Sequence, residues 1–440
     1  MRAVTVTSKA LDAYREVVGD DPIEEIRALA KELRGARVLH VNATAYGGGV
    51  AEILHNLVPL MNDVGLDARW HVLEAADPAF FDVTKRIHNA LQGMPLDLSD
   101  QQRDLFLEVD RANAADLLSA AGALSAAGAL SAAGALSAAG ALPAGGAPEV
   151  DVVFAHDPQA VALRHFTNGR AAWVWRCHID LTEAYKPVWA FLRPFVREHD
   201  AAIFTMPQFA QADLEMGRVV FSAPSIDPFS VKNQPLSADE ARAIVRAFGL
   251  DDARPLLVQV SRFDPWKDPS GVIDAYRLVK EQVPDVQLAM IGSLADDDPE
   301  GKEYLARTLA HAAGDPDVRC FTNLDGVRDR EVNAFQHAAT VVIQKSLREG
   351  FGLTVAEALL KKKPVVASAV GGIPTQIIHK VTGMLAHSVE GTAYQIRFLL
   401  SNPEFARQLG ENGHEHVKEN FLLTHNIRRY LLLFLNLGQP

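Results

Sequence analysis

The sequence predicts an α/β protein built from two domains, and two observations lead to this prediction. Short apolar runs with the strand pattern alternate with helical patterns along most of the 440 residues, as in parallel sheets covered by helices. Proline and polar residues interrupt this alternation at 225–235, after which it starts again. A chain of this length, with 48% hydrophobic residues, can fill two or three cores. We therefore expect two Rossmann-like domains that face each other across a cleft.

The first predicted domain covers residues 1–225. A helical opening segment ends near Arg34, and strand-like runs follow it at 37–41, 69–73, 150–154, 172–175 and 201–204. In sheets of this kind, ligands bind at the carboxyl ends of the strands. Residues directly after these runs are therefore the first candidates for a functional site.

A repeat interrupts the first domain at 118–147. The unit Leu-Ser-Ala-Ala-Gly-Ala occurs four times from Leu118 and then degrades. Its six-residue period matches neither a helix nor a strand, and regularly spaced glycine weakens a helix. A hexapeptide β-helix is the alternative, but the units are few and their inward residues are small. We interpret the repeat as a low-complexity surface insertion without a chemical role.

The second predicted domain covers residues 226–420. Its strand-like runs lie at 255–260, 286–291, 318–321, 341–343 and 364–368. A last helical pattern, at 421–440, places Arg428 and Arg429 beside a very apolar run. This pattern is shorter than the roughly 20 apolar residues of a membrane span. We therefore expect it to complete the first domain.

Charge and composition exclude several classes of function. The formal net charge of -12 disfavours a nucleic-acid partner, which would need a basic face. The N-terminus lacks a basic segment followed by an apolar core, and no apolar stretch reaches membrane length, so we expect a cytoplasmic protein without a membrane contact. The two cysteines, Cys177 and Cys320, have no zinc-like spacing. They predict neither a disulfide framework nor a metal site.

Two carboxylates flank a glycine-rich turn after a predicted strand of the second domain. Glu349 comes at the start of this turn, and Glu357 lies inside the helix that follows. The backbone amides of Gly350, Gly352 and Leu353 can bind a phosphate, while the two acids can accept hydrogen bonds from sugar hydroxyls. A nucleotide sugar contains both groups. The sequence therefore predicts such a ligand at this turn.

Two basic residues, Arg262 and Lys267, follow the first strand of the second domain in a loop stiffened by proline. Arginine can bind two oxygens at once and lysine acts as a point charge, which suits a diphosphate whose charge grows as a nucleotide leaves. The alternative is that both are solvated surface residues paired with Asp264 and Asp268. We favour the diphosphate because the Glu349 turn lies in the same domain.

Three glycines, Gly47, Gly48 and Gly49, open a predicted helix of the first domain. They would let a substrate or phosphate approach the backbone closely, although a simple tight turn also explains them. The loop matches neither the dinucleotide-binding pattern nor the P-loop. NAD binding and ordinary nucleotide hydrolysis therefore have little support.

Histidines follow two strands of the first domain. His178 comes after the run at 172–175, and we expect it to contact a sugar, with a core histidine as the alternative. Cys177 is a poor nucleophilic partner for it, because adjacent residues of an extended segment point to opposite faces. His156 and Asp157 follow another strand and are weaker candidates for binding an acceptor sugar.

Several long strings of the sequence resemble one enzyme family. They lie at 38–52, 175–181, 297–301 and 348–358, and the strand-end loop with Gly-Gly-Ile-Pro at 371–374 belongs with them. Together with the basic pair and the two carboxylates, they are similar to the retaining family-four glycosyltransferases of the two-Rossmann-domain (GT-B) type, and among these to the trehalose glycosyltransferring synthases. The resemblance covers nearly the whole chain outside the repeat.

The resemblance implies an activity. Glucose would pass from a nucleoside diphosphate glucose (ADP-, UDP- or GDP-glucose) to free glucose, reversibly giving α,α-trehalose with retained anomeric configuration. The leaving phosphate would assist in deprotonating the acceptor, so no enzyme nucleophile and no cofactor are implied, with Mg²⁺ at most an activator. A homodimer is compatible with it. The alternatives are a retaining trehalose phosphorylase, a family-four enzyme with another acceptor, and a non-catalytic nucleotide-sugar sensor.

The resemblance also implies residue roles by position. Arg262 and Lys267 would hold the diphosphate, Glu349 the transferred glucose and His178 the region of its anomeric carbon, which makes these four the catalytic set. Glu357 would bind the ribose hydroxyls. The full donor-binding set is Gly48, Gly49, Gly350, Phe351, Gly352, Leu353, Thr354 and Glu357. Asp157 and Asn42 would bind the acceptor, and no metal ligand is implied. Thr375 departs from the family, in which many members have an acid there.

Overall fold

The computed structural model describes residues 1–46, 48–132, 150–294 and 299–437. The chain divides into two compact units. Unit 1 comprises Met1–Ser222 and Asn426–Pro440, and unit 2 comprises Ala223–His425. These borders lie beside those expected at 225 and 420.

Unit 1 is built on a sheet that, in the described residues, has seven strands in the order β1-β3-β2-β4-β5-β6-β7. All neighbours are parallel except β1, which pairs antiparallel with β3. The strands are β1 (Arg2–Ala3), β2 (Arg37–Asn42), β3 (Asp67–Val72), β4 (Val152–His156), β5 (Ala172–Arg176), β6 (Ala201–Phe204) and β7 (Val219–Phe221).

Helices cover both faces of this sheet, as a parallel sheet requires. Trp173 and Trp175 of β5 share one buried core with Phe80 and Phe106, while Phe154 of β4 packs against Tyr430 at a ring-centroid distance of 5.1 Å. The helices before the second unit are α1 (Arg15–Val18), α2 (Asp20–Glu32), α3 (Gly49–Asp63), α4 (Ala79–Leu91), α5 (Asp100–Ala132) and α6 (Lys186–Arg197).

Unit 2 is built on a parallel sheet of six strands within the described ranges, in the order β10-β9-β8-β11-β12-β13. The adjacent central strands β8 and β11 carry the loops with Lys267 and Glu349 at their carboxyl ends. The strands are β8 (Leu256–Val260), β9 (Gln287–Gly292), β10 (Val318–Thr322), β11 (Val341–Gln344), β12 (Val365–Ser368) and β13 (Met384–Ala386).

The helices of unit 2 bury a second core against this sheet. Leu257, Leu288 and Ile343 of the strands are fully buried in one cluster with Val272 and Tyr276 of α8. The helices are α7 (Ala238–Ala247), α8 (Pro269–Lys280), α9 (Pro299–Ala312), α10 (Asp329–Ala338), α11 (Leu353–Leu360), α12 (Ile373–Gln376), α13 (Val389–Ser401) and α14 (Pro403–Asn420).

The ten strand-like runs predicted from the sequence all form strands, and the prediction of two parallel-sheet α/β domains is confirmed. Strands β1, β7 and β13, which have two or three residues each, were not predicted from the sequence. Such short segments do not show a strand period. They lie at sheet edges and are held by pairing with a longer neighbour.

The repeat differs from expectation in its first part. We expected regularly spaced glycine to weaken a helix, yet α5 continues through the repeat as far as Ala132. Helix α5 starts well before the repeat, so its later turns extend an existing helix and need no new nucleus. The rest of the repeat, from residue 133, lies outside the described residues.

The last helix, α15 (Leu423–Leu437), belongs to unit 1 from Asn426 onward. Tyr430 and Phe434 bury their rings against Phe154 of β4. Arg428 lies on the exposed side and forms an ion pair with Glu25 at 2.6 Å. None of the helices in the described residues is long and apolar enough to cross a membrane.

Candidate functional site

Glu349 lies in the loop between β11 and α11, with 9% of its side chain exposed. Its Oε2 accepts hydrogen bonds from Nζ of Lys267 at 2.5 Å and from Oγ of Ser346 at 3.1 Å. Nε2 of Gln344 donates to the same oxygen at 3.4 Å. The other oxygen, Oε1, accepts no hydrogen bond from the described residues. Oε2 is thus held in place, while Oε1 can accept a hydrogen bond from a ligand hydroxyl.

Glu357 lies in the second turn of α11 and is 1% exposed. Its Oε2 is 3.5 Å from Nε2 of Gln336, whereas its Oε1 is buried without a partner among the described residues. A buried carboxylate oxygen that accepts no hydrogen bond is costly and calls for a ligand or water. This atom can accept a hydrogen bond from a ligand hydroxyl, and the contact of Glu357 with a ribose stays a prediction.

The start of α11 is open to an anion. Gly352 precedes the helix with φ 83°, a left-handed conformation that glycine adopts without strain. No side chain in the described part of the chain caps this end, so its first amides can bind a phosphate. A Cβ at Gly372 would lie 2.5 Å from the carbonyl oxygen of Gly350. The predicted Gly350, Gly352 and Leu353 turn is thus held by close backbone packing.

Two other predicted donor-binding residues are engaged within unit 2. Phe351 is 4% exposed and packs its ring 5.4 Å from that of Phe421. Oγ1 of Thr354 donates a hydrogen bond to Oε1 of Gln344 at 3.0 Å. Both side chains therefore stabilise the loop, and contact with a donor through their backbone stays a prediction.

The basic pair occupies the loop after β8, where Pro265–Lys267 form one turn of 3₁₀ helix. The buried carboxylate of Asp264 accepts the backbone N–H groups of Trp266 and Lys267 and pairs with Nη2 of Arg262 at 2.8 Å. Arg262 therefore pairs with a neighbouring acid, as in the alternative interpretation of the sequence. Lys267 instead pairs with Glu349. The role of both cations toward a diphosphate stays a prediction.

One residue that was not predicted from the sequence joins the loops after β8 and β11. Gln259, near the end of β8, is 1% exposed. Its Nε2 donates to the carbonyl oxygen of Lys267 at 3.1 Å, and its Oε1 accepts the backbone N–H of Lys345 at 3.0 Å. A single glutamine in each of two apolar runs, Gln259 and Gln344, was the signal for this network.

In unit 1, His178 and Asp157 lie together at the ends of β5 and β4. The backbone N–H of His178 donates to Oδ1 of Asp157 at 2.7 Å, and Asp157 adopts φ 61°, which is rare for a residue with a side chain. Burial raises the pKa of Asp157 to about 7. Burial, and then the charge of Arg176, lower the pKa of His178 well below its usual value. The structure thus brings a predicted sugar contact and a predicted acceptor contact together.

Arg176 is a second residue that the sequence analysis missed. It ends β5 and is fully buried, and its three guanidinium nitrogens have no hydrogen-bond partner among the described residues. Its charge contributes to lowering the pKa of both His156 and His178. An arginine at the end of the run Ala-Trp-Val-Trp was the available signal.

The remaining predicted residues of unit 1 lie after β2. Asn42 is 4% exposed, with Oδ1 accepting from Nε1 of Trp70 at 2.7 Å and Nδ2 donating to the carbonyl oxygen of Thr44 at 2.7 Å. These bonds give it a structural role, and acceptor binding by Asn42 stays a prediction. Gly48 and Gly49 form the start of α3, which no side chain of the described residues caps. Gly47 lies outside the described residues.

Neither cysteine forms a disulfide. Burial raises the pKa of Cys177 well above its usual value, so it is not a reactive thiolate beside His178. Across the described ranges, no group of three or more His, Cys, Asp or Glu residues is placed to hold a metal ion.

Comparisons with known proteins match both units. The family model of the trehalose synthase N-terminal domain matches residues 40–128 and 134–211, and that of the group 1 glycosyl transferases matches residues 240–416. The trehalose synthase of Rubrobacter xylanophilus is 47% identical over 99% of both chains, and that of Thermococcus litoralis is 46% identical over 96% of both.

A solved structure agrees at the level of the fold. It is an α,α-trehalose-phosphate synthase (UDP-forming) from Burkholderia xenovorans, and it superposes with a TM-score of 0.68 at 14% identity, covering 90% of this chain and 100% of that one. The fold is that of the GT-B glycosyltransferases. With close relatives along its whole length, the chain belongs to the trehalose synthase family of group 1 glycosyltransferases.

Proposed function

We propose that this glycosyltransferase moves glucose from a nucleoside diphosphate glucose to free glucose and makes α,α-trehalose with retention of the anomeric configuration. The observation that carries this proposal is Oε1 of Glu357, a buried carboxylate oxygen without a donor in the described residues, beside the uncapped start of α11. A ligand with adjacent hydroxyls and a phosphate satisfies both features. The ribose and diphosphate of a nucleotide sugar supply them.

Glu349 provides the contact to the sugar that is transferred. Its Oε2 is held by Lys267 and Ser346, which orient the carboxylate and leave Oε1 to accept hydrogen bonds from glucose hydroxyls. Orientation of this kind lowers the entropy cost of reaching the reacting geometry. The residue acts as a binding group and needs no covalent step.

The cations stabilise the leaving group. As the bond from glucose to the diphosphate breaks, negative charge grows on the departing phosphate, and fixed positive groups stabilise this charge better than mobile water does. Lys267 is a point charge with 14% of its side chain exposed, and Arg262 has 37% exposed. The leaving phosphate then accepts the proton of the acceptor hydroxyl on the same face. This sequence retains the anomeric configuration without an enzyme nucleophile.

His178 contacts the donor glucose, and Asp157 binds the acceptor. The reaction needs no cofactor, and Mg²⁺ acts at most as an activator, so EDTA should leave a measurable rate. Complete loss of activity in EDTA, restored by Mg²⁺, would contradict this part of the proposal.

The test is to incubate the protein with ADP-, UDP- or GDP-glucose and a panel of sugar acceptors, and to identify each product by chromatography. We expect trehalose only with free glucose, and none from a Glu349→Ala variant. In the reverse direction, a nucleoside diphosphate should release glucose from trehalose, whereas inorganic phosphate should not. Release driven by phosphate alone would identify a phosphorylase, and tight donor binding without any turnover would identify a sensor.

A further inference from the structure

Three histidine rings form a continuous chain of hydrogen bonds in unit 1. Nδ1 of His40 lies 3.0 Å from Nε2 of His156, and Nδ1 of His156 lies 3.1 Å from Nε2 of His178. His40 and His156 are buried, at 0% and 1% exposure, while His178 is partly exposed. At the inner end, Nε2 of His40 lies 3.4 Å from Sδ of Met61. This chain of hydrogen bonds, the histidine chain, therefore runs from the core to His178, the predicted sugar contact.

The partners at each link restrict where the protons lie. A hydrogen bond between two ring nitrogens needs one proton, so a neutral ring that donates from one nitrogen accepts at the other. The thioether sulfur of Met61 carries no proton and can only accept. Nε2 of His40 satisfies this contact when it carries the proton. Its Nδ1 is then an acceptor for Nε2–H of His156.

The same rule applies to the next two rings, His156 and His178. His156 donates from Nε2, so its Nδ1 accepts the Nε2–H of His178. His178 then has its only ring proton on Nε2, and its Nδ1 keeps a lone pair. In the described residues, Nδ1 of His178 has no hydrogen-bond partner. If every ring donated in the opposite direction, the lone pair on Nε2 of His40 would face the sulfur of Met61. Two acceptors would then face each other.

The two inner rings, His40 and His156, are neutral, which the chain of hydrogen bonds requires. Burial lowers the pKa of His40 to about 3, and burial together with the other histidines and Arg176 lowers that of His156 well below its usual value. A second proton on either ring would place two N–H groups face to face or add a charge beside the buried guanidinium of Arg176.

We propose that Met61, His40 and His156 fix the tautomer of His178, so that its Nδ1 is a hydrogen-bond acceptor for a ligand hydroxyl. His40, His156 and Met61 are positioning residues, because they act through His178. The hydroxyl would be one of the transferred glucose, and this last step rests on the proposed function.

The test starts with the ligand-free protein, uniformly deuterated and labelled with ¹⁵N-histidine. Multiple-bond ¹H–¹⁵N spectra separate protonated from unprotonated ring nitrogens, and a His178→Gln variant assigns His178. Couplings across the N–H···N bonds identify each donor and acceptor. We expect a proton on Nε2 and none on Nδ1 of His178, with couplings from His178 Nε2 to His156 Nδ1 and from His156 Nε2 to His40 Nδ1. A proton on Nδ1 of His178, or an imidazolium, would overturn the proposal.

A second experiment tests the positioning role. In a His156→Leu variant, Nε2–H of His178 loses its acceptor, so its coupling should vanish, its exchange with water should speed up, and kcat/KM for glucose transfer should fall about tenfold, the effect of one hydrogen bond near 1.4 kcal/mol. The control is His199→Leu, which removes another buried histidine of unit 1 that bonds the carbonyl oxygen of Phe195. It should leave the His178 signals unchanged. Equal effects of both variants on His178 and on kcat/KM would contradict a specific chain.

Failure of this inference is distinguishable from failure of the proposed function. The spectra of the ligand-free protein report the tautomer whether or not transfer occurs. Addition of trehalose together with a nucleoside diphosphate should then shift the Nδ1 resonance of His178. An unchanged resonance in an enzyme that makes trehalose would remove the hydroxyl contact and leave the transferase activity standing. A correct tautomer in a protein that transfers no glucose would overturn the proposed function alone.

Discussion

Replacement of Lys267 by methionine tests whether its ion pair with Glu349 is a buried, charged interaction. Methionine keeps most of the aliphatic volume and removes the charge. The two side chains are 14% and 9% exposed, and their charged atoms are 2.5 Å apart. Loss of one partner from a buried pair costs about 3–5 kcal/mol, because the other charge is left unpaired. The free energy of unfolding should therefore fall.

The magnitude is reduced by the other donors to the carboxylate. Ser346 and Gln344 still donate to Oε2 of Glu349 in the variant, so we expect a loss of about 2–3 kcal/mol. For a unit of this size, about 1 kcal/mol shifts Tm by roughly 2–4 °C. Lys267→Met should thus lower the Tm of unit 2 by about 4–12 °C, measured by differential scanning calorimetry at pH 7.

Two further variants complete the experiment. The double variant Lys267→Met with Glu349→Gln has neither charge. Its loss in free energy of unfolding should therefore be smaller than the sum of the losses of the two single variants, with a coupling energy of at least about 1 kcal/mol. The control is Arg307→Met, which breaks an exposed ion pair with Glu303 and should change stability by at most about 0.5 kcal/mol. Strict additivity of the two site changes, or a Tm of Lys267→Met within the range of the control, would show that Lys267 and Glu349 do not form a stabilising buried ion pair.

Three other predictions concern Glu357, Gly372 and Asp157. Glu357→Gln should raise the KM for the donor at least about tenfold without lowering Tm, because the buried oxygen has no donor to lose; steady-state kinetics with an unchanged KM would count against the ribose contact. Gly372→Ala should cost about 1–3 kcal/mol and most of the activity, since its Cβ would lie 2.5 Å from the Gly350 carbonyl oxygen, whereas Gly217→Ala, with open space around it, should match the wild type in thermal melts and assays. The pKa of Asp157 is raised to about 7 in the folded state, so its contribution to stability is fully present below its usual pKa of 3.8 and is lost as pH rises through 7. We therefore expect the free energy of unfolding of Asp157→Asn, relative to that of the wild type, to increase between pH 5 and pH 8. The increase should be up to about 1.4 kcal/mol for each pH unit up to pH 7, measured by thermal unfolding. A difference that stays constant with pH would contradict the raised pKa.

The sequence predicted the long elements of the fold because their physical signals are local. A buried parallel strand needs an apolar run such as Leu-Leu-Val at the start of β8, and the turn before α11 needs glycine at 352, where φ is 83°. The strands β1, β7 and β13 could not be found in this way. They form only because a neighbouring strand offers free backbone groups for pairing.

Candidate site residues could be named from the sequence, but the contacts between them could not. Glu349 and Lys267 are 82 positions apart, and nothing local predicts that their charges meet at 2.5 Å. The same holds for Gln259, whose side chain joins two loops, and for the buried guanidinium of Arg176. These contacts depend on the order of strands in a sheet, which places β11 beside β8 and β4 beside β5. A periodic pattern does not contain that order.

We propose that glucose passes intact from a nucleoside diphosphate to free glucose with retention of the anomeric configuration. The most direct measurement is NMR of the product formed from a nucleoside diphosphate glucose labelled with ¹³C at the anomeric carbon and unlabelled glucose, in buffer free of phosphate. We expect α,α-trehalose with one labelled anomeric carbon in the α configuration, formed in step with release of the nucleoside diphosphate. A labelled β-linked product, or labelled free glucose as the sole product, would contradict it.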